Sequence, residues 1–159
     1  MNSHRLLLFI TITLWSMSVY SEDCMVTTQA RSLMTDSTLL QEEQLNKADG
    51  RYSAVLKNND VILAQYASCD LGMQAHYLSV KPLADAELKQ LLEMFLTRVL
   101  SSDMDVKKVV PQLKGLTSTA FQKPVILQGI NDQHQLVVKP AASPNFHTIV
   151  QYNWIPPEY

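Results

Sequence analysis

A run of apolar residues with helical spacing is the feature that most limits how this chain can fold. Between Asp85 and Ser101, apolar side chains recur every three or four residues, at Leu88, Leu91, Leu92, Phe95, Leu96 and Val99. This spacing puts them on one continuous stripe of an α-helix, with mostly polar residues on the other side. We therefore predict one long amphipathic helix whose stripe covers a hydrophobic core. A partner protein or a membrane surface is the rarer use of such a stripe.

Strand-like segments precede this helix. Residues 51–57 and 61–67 alternate polar and apolar side chains around the turn sequence Asn58-Asn59-Asp60, which favours a hairpin. With those three residues as the loop, Lys57 would pair with Val61. A third antiparallel strand is predicted over residues 71–80, where the alternation continues.

The alternation also predicts which face of these strands is buried. Tyr52, Tyr66 and Tyr77 fall on the same face, because strand side chains point alternately to the two sides of a sheet. If the long helix covers this face, the tyrosines belong to the core. If it does not, they line a groove for an apolar ligand or a partner.

A second group of strands is predicted after the helix. Residues 105–115 indicate a short second helix, limited by Pro111. Three strands follow, over about 125–130, 133–139 and 146–154. A two-residue turn at Asn131-Asp132 would place Leu127 opposite Leu136 and Val125 opposite Val138. The order βββ-αα-βββ predicts an α+β domain, in which an antiparallel sheet packs against the one long helix.

The N-terminus has the layout of a secretory signal peptide. Arg5 precedes an uncharged apolar run, and Val19 and Ser21 suit cleavage before Glu22. A membrane anchor is the alternative, but a spanning helix needs about 20 apolar residues. We predict a cleaved segment at 1–21 and a periplasmic or secreted mature chain.

The mature chain is predicted to hold an N-terminal arm and one domain. The arm covers residues 22–50 and includes a short helix at about 38–48, which Thr38 would cap and Gly50 would end. Residues 51–159 form the α+β domain. Cys24 and Cys69 are predicted to form a disulfide that ties the arm to the domain, because exported chains meet an oxidising environment. Two free buried thiols are the alternative.

Charge and motifs exclude several functional classes. The chain has 13 basic and 15 acidic residues and a net charge of −2, which gives no basic field for nucleic acid. None of the motifs GxGxxG, GxxxxGK[ST], HExxH or GxSxG occurs. His76, His134 and His147 are interpreted as ordinary residues on wet faces. The sequence therefore predicts no catalytic residue, no cofactor and no metal site.

The leading functional hypothesis is a non-enzymatic protein that binds another protein, with a toxin or a cell-wall hydrolase as its target. In size, export signal and single disulfide the chain resembles, in general terms, small exported binding or inhibitor proteins of Gram-negative bacteria. We expect the partner contacts in two turns or loops and in the C-terminal tail, at Asn58, Asn59, Asp60, Ser143, Asn145, His147, Trp154 and Tyr159. Aromatic residues such as the last pair are common in binding hot spots.

Three other hypotheses stay open at this point. The chain could carry a small apolar ligand between sheet and helix, or serve as a subunit of an envelope or secretion assembly. It could also be an enzyme that pairs one histidine with an aspartate. Stable membrane insertion after cleavage and nucleic-acid binding are not expected, whereas a homo-oligomer is compatible with the sequence.

Overall fold

Seven strands form one antiparallel sheet in the computed structural model, which describes residues 30–66 and 72–155. The strands are β1 (Leu40–Asn46), β2 (Arg51–Leu56), β3 (Val61–Tyr66), β4 (Met73–Ser79), β5 (Val125–Gln128), β6 (Gln133–Pro140) and β7 (Thr148–Ile155). Their order across the sheet is β1-β2-β3-β4-β7-β6-β5. The helices lie in sequence between β4 and β5, so the central pair β4 and β7 joins two parts of the chain that are far apart.

One long amphipathic helix does not form the helical layer by itself, although a helix from Asp85 and a short second helix were both predicted. The layer consists of α1 (Asp85–Val99) and α2 (Asp103–Val109), followed by 3₁₀ helices at Val110–Gly115 and Ser118–Gln122. The guanidinium of Arg31 donates to the carbonyl oxygens of Arg98 and Leu100, at 3.1 and 2.9 Å, where α1 ends. The Ser102 hydroxyl then accepts from two backbone amides of α2 and starts a new helix. The prediction of a mixed α+β fold with an antiparallel sheet is confirmed.

One face of the sheet carries the core. The buried side chains of α1 join those of the strands in a single hydrophobic cluster. Tyr52, Tyr66 and Tyr77 are buried in it, and the Tyr77 ring meets the Phe95 ring edge to face at a centroid distance of 6.0 Å. The tyrosine face is therefore core, and the groove interpretation of that face is wrong.

The helix predicted at 38–48 is wrong, because residues 40–46 form the edge strand β1. The backbone amide of Thr38 donates to the Asp36 carboxylate, and Thr38 does not cap a helix. The side-chain oxygen of Asn46 accepts from the backbone amides of Ala48 and Asp49 and starts a tight turn instead. Gly50 completes the turn with φ of +63°, and a Cβ there would lie 2.3 Å from the carbonyl oxygen of Tyr66.

Both predicted hairpins have the correct faces but registers that are wrong by two residues. Val61 pairs with Val55 and not with Lys57, since Leu56 and Asp60 close a loop of residues 57–59 in which Asn59 has φ of +67°. In the second hairpin, Val125 pairs with Leu136 and not with Val138. A shift of two residues leaves every side chain on its original face.

Asp60 is a buried residue of this first hairpin. Its carboxylate accepts from the Tyr77 hydroxyl at 2.6 Å and from the backbone amide of Val80 at 2.8 Å. The Asn58 side chain donates to it at 2.7 Å. The carboxylate thus joins the β2–β3 turn to β4 and to the segment that enters α1. Its prediction as a partner contact is wrong, because only 4% of its surface is exposed.

The two edges of the sheet are protected against further strand pairing. Strand β1 is polar and carries Glu42 and Glu43, and charged edge strands resist pairing with another chain. Strand β5 has four residues, and the side chain of Gln112 bonds to both the amide and the carbonyl of Gln128, at 3.1 and 2.9 Å. That side-chain amide occupies the position that a neighbouring strand would take.

Several predictions fall outside the described residues. These are the leader at 1–21, the disulfide between Cys24 and Cys69, and the contact at Tyr159. The domain boundaries stay a prediction. Among the described residues, no helix has the length and apolar character needed to cross a membrane.

Loss of the Asp60 carboxylate should destabilise the fold. We expect Asp60→Ala to lower the free energy of unfolding by about 2–4 kcal/mol, because it leaves buried donors without an acceptor. Tyr77→Phe should lower it by about 1–2 kcal/mol. The control is Asp49→Ala at an exposed turn, which should cost about 0.5 kcal/mol. Urea unfolding followed by circular dichroism measures all three, and equal losses for Asp60→Ala and the control would contradict this role.

The buried tyrosines should make the fold sensitive to high pH. Burial raises the pKa of Tyr52 to about 12. It also raises the pKa values of Tyr66, Tyr77 and Tyr152 above the ordinary value of 10.0. The unfolded chain loses these protons first, so their contribution to stability is complete below pH 10 and declines as the pH rises above it.

A titration of phenolate absorbance at 295 nm tests this expectation. In a Tyr20→Phe, Tyr159→Phe variant, the four tyrosines that remain are the buried ones. Their absorbance should rise only together with the loss of the circular dichroism signal. Ionisation of all four near pH 10 in a chain that is still folded would refute it.

Candidate functional site

The outer face of the sheet, defined as the side opposite α1, is a broad surface that could meet a partner. Its central strands place Val55, Val61, Leu78 and Ile149 in one row across the sheet. A second row contains Leu63, His76 and Gln151. None of these residues belongs to the core cluster, whereas the buried residues of both helices do. Within residues 30–66 and 72–155, the buried side chains of the helices therefore pack on the opposite face, and on the outer face Val137 of the second row is also buried.

A groove of about 400 Å³ crosses the β1–β4 part of the outer face. Its lining includes several amide side chains, the charged pair Asp49 and Arg51, the imidazole of His76 and the exposed side chain of Leu63. Arg51 donates to the Gln65 side chain at 3.3 Å. Burial lowers the pKa of His76, so its imidazole is neutral at pH 7. The groove thus offers amide and imidazole groups and one acidic and one basic side chain beside apolar surface.

Several predicted contact residues lie at one end of the sheet. The turn with Asn58 and Asn59 joins β2 to β3, and the loop with Ser143 and Asn145 joins β6 to β7. Strand β4 connects the turn and the loop. Its residue Ser79 pairs with Thr148, and the carbonyl oxygen of Ser79 accepts from the His147 amide at 2.8 Å. The predicted turn and loop are therefore neighbours, and all but Asp60 of their predicted contact residues are exposed.

Trp154 lies at the opposite end of the sheet, in a different environment. It is half-buried, and its indole nitrogen donates to Oδ2 of Asp132 at 2.6 Å. The structure therefore separates Trp154 from the predicted loop contacts and makes it part of a polar cluster on the core side.

This cluster, called here the His134 cluster, contains Asp105, Asp132 and His134. Asp105 comes from α2, Asp132 from the β5–β6 turn and His134 from β6. One donor atom of each residue lies within 4.8 Å of the other two. The interpretation of His134 as a wet surface residue is wrong, because it stands two residues from buried Leu136 and shares its face.

The two nitrogens of His134 have different neighbours. Nδ1 lies 2.9 Å from the hydroxyl of Tyr152, within hydrogen-bond distance. Nε2 lies 3.3 Å from Oδ1 of Asp132, but the geometry is not that of a hydrogen bond. Nε2 of His134 and Oδ1 of Asp132 are thus buried without a hydrogen-bond partner. Asp105 is held by the backbone amide of Ile130 at 3.3 Å.

Burial favours the neutral forms of His134 and of the adjacent Tyr152. It lowers the pKa of His134, although the charges of Asp132 and Asp105 oppose this shift. Burial also raises the pKa of Tyr152, with the same two carboxylates adding to the effect. A neutral imidazole beside two carboxylates can hold a proton or a cation, and it has the donor types of a transition-metal site.

The His134 cluster was not predicted, because each of its members has an ordinary structural explanation in the sequence. Asp132 matches a turn residue and Asp105 matches a residue of the first helical turn. The spacing of Asp132 and His134, two apart at the start of a strand, does indicate a shared face. The contribution of Asp105 depends on how α2 packs, for which the sequence holds no local signal.

Comparisons with known proteins give no relative for this chain. No family model matches it, and neither a curated protein nor a solved structure does. The roles of the outer face and of the His134 cluster therefore have to be inferred from their own geometry.

Proposed function

We propose that this chain is an exported, non-enzymatic protein that binds another protein through the outer face of its sheet. The observation that carries the proposal is the one-sided cover of the sheet by the described helices. A sheet with one solvated face normally has polar side chains on it. Here that face includes a row of four aliphatic residues, and Leu63 beside it has an exposed fraction of 39%.

The chemistry of the outer face favours a macromolecular partner. Its groove is a shallow feature on a broad sheet, whereas small-molecule sites enclose most of the ligand surface. Glutamine and histidine side chains in the groove can bond to a polypeptide backbone, and the aliphatic row can bury apolar side chains. The charged groups are few and of both signs: Asp49 and Arg51 line the groove, and Glu42 and Lys139 lie on β1 and β6. A partner surface with little net charge fits this arrangement.

The protected edges support binding by the face over binding by strand addition. An added strand needs free backbone amides and carbonyls at an edge. Gln112 occupies such groups on β5, and two glutamates lie on β1. An envelope-assembly subunit built by strand exchange is therefore the weaker alternative.

Export and the inhibitor-type role complete the proposal. Export rests on the leader-like sequence at 1–21, and the target class rests on the general likeness to small exported inhibitors. The turn at 57–59 and the loop at 141–147 border one end of the outer face. Asn58, Asn59, Ser143, Asn145 and His147 would thus extend the same contact surface.

A charge placed in the outer face should abolish partner binding. We propose Leu63→Arg, with Met104→Arg as the matched control, because Met104 is an apolar residue on α2 with an exposed fraction of 66%. A partner captured from the exported fraction by the wild-type chain should be retained by Met104→Arg and lost by Leu63→Arg. With the isolated partner, calorimetry should give an affinity at least about tenfold weaker for Leu63→Arg, equivalent to about 1.4 kcal/mol.

The result is interpretable only if the variants fold. Circular dichroism melting curves of both should match the wild type. Capture that is the same for wild type and Leu63→Arg, or that Met104→Arg loses equally, would remove the outer face as the binding surface. Steady turnover of a substrate by the pure chain would remove the non-enzymatic role.

A further inference from the structure

We propose that Asp105, Asp132 and His134 bind one divalent transition-metal ion, with zinc as the best-matched cation. The site lies on the core side of the sheet and is independent of the outer face. Its ligands come from α2, from the β5–β6 turn and from β6. An ion held there would fasten the start of α2 to this hairpin.

The distances between the donor atoms fit a shared ion. Nε2 of His134 and Oδ1 of Asp132 are 3.3 Å apart. Two ligands at about 2.0–2.1 Å from a tetrahedral zinc ion are separated by about 3.4 Å. A carboxylate oxygen of Asp105 lies within 4.8 Å of both donors. The third ligand is thus near enough to be drawn in by a small side-chain rotation.

Two buried polar atoms that point into the site have no hydrogen-bond partner. Nε2 of His134 and Oδ1 of Asp132 are buried without a hydrogen bond, and the His134 side chain is 3% exposed. Buried polar atoms are nearly always bonded, because losing hydration without compensation is costly. A cation between them would satisfy both atoms at once.

The surrounding hydrogen bonds orient the ligands in the manner of a metal site. Nδ1 of His134 lies 2.9 Å from the Tyr152 oxygen, and with an ion bound the proposed site has the imidazole proton on Nδ1, which leaves the Nε2 lone pair for the ion. The Trp154 indole donates to the other oxygen of Asp132. Such outer contacts fix ligand geometry in known metal sites.

Gly129 leaves space next to the donor atoms. A Cβ at this position would lie 1.8 Å from Oδ1 of Asp132 and 2.7 Å from Nε2 of His134. Any other residue would therefore intrude on the region between them. Asp105 is half-buried, so its side of the cluster is open to solvent and can admit the ion and a water molecule as a fourth ligand.

The ligand types select the class of cation. One imidazole nitrogen and two carboxylates suit zinc and its first-row neighbours. Calcium and magnesium prefer sites made entirely of oxygen. Two carboxylates also balance the charge of a divalent ion, which lowers the cost of holding it in a partly buried place.

Zinc titration of the metal-free full chain tests the proposal. After dialysis against a chelator, ZnCl₂ should bind at one ion per chain in calorimetry, and MgCl₂ should not bind. Zinc in about hundredfold excess over its Kd should raise Tm by roughly 5–10 °C. Asp105→Asn should weaken zinc binding at least about tenfold. The matched control is Asp103→Asn, an exposed acid in the same turn of α2, which should bind zinc like the wild type.

A second variant and a second signal guard against misfolding and against binding elsewhere. His134→Gln should also weaken zinc binding, with folding checked by circular dichroism. Cobalt substituted for zinc should give visible absorption bands in the wild type and in Asp103→Asn, and these should disappear in Asp105→Asn. Absence of saturable zinc binding overturns the proposal. So does zinc binding that Asp105→Asn leaves unchanged, or that Asp103→Asn weakens equally.

Discussion

The whole structure depends on the burial of one face of the sheet by a layer of short helices. Because side chains of a strand alternate between faces, the buried residues of all strands must agree on which side faces the helices. Tyr52, Tyr77 and Tyr152 follow this rule and pack in the cluster that includes Phe95 of α1. The same rule places Leu63 and His76 on the other face. The core and the candidate interface are two results of one constraint.

That constraint explains how much of the fold is readable from the sequence. Face assignments could be predicted because they need only the period of the pattern. Hairpin registers could not, since they depend on which residues close the loop, and the Asp60 carboxylate fixes that through its bonds to Tyr77 and Val80. Strand β1 was mistaken for a helix because its polar sequence carries almost no period. It forms through pairing with β2, a neighbour that local propensity does not report.

The candidate sites could be predicted from the sequence to different degrees. Asn58, Ser143 and His147 are exposed as turn and loop chemistry predicts, and the structure brings their segments to the same end of the sheet. The His134 cluster could not be predicted because it is assembled by tertiary packing. Asp105 and Asp132 are separated by the 3₁₀ helices and β5, and nothing in a single sequence shows that α2 sets them together. Strand alternation indicates only that Asp132 and His134 share a face.

The pairing of β4 with β7 has a consequence for how the chain reaches this structure. Strands β1 to β4 follow one another and pair by short connections, so this half of the sheet can assemble early. Closing the sheet requires Ala75 to find Tyr152, a contact that must wait for the intervening helices and hairpin. Long-range contacts of this kind raise contact order and slow the rate-limiting step. Until then β4 is an open edge, and an unpaired strand edge favours misassembly with other chains.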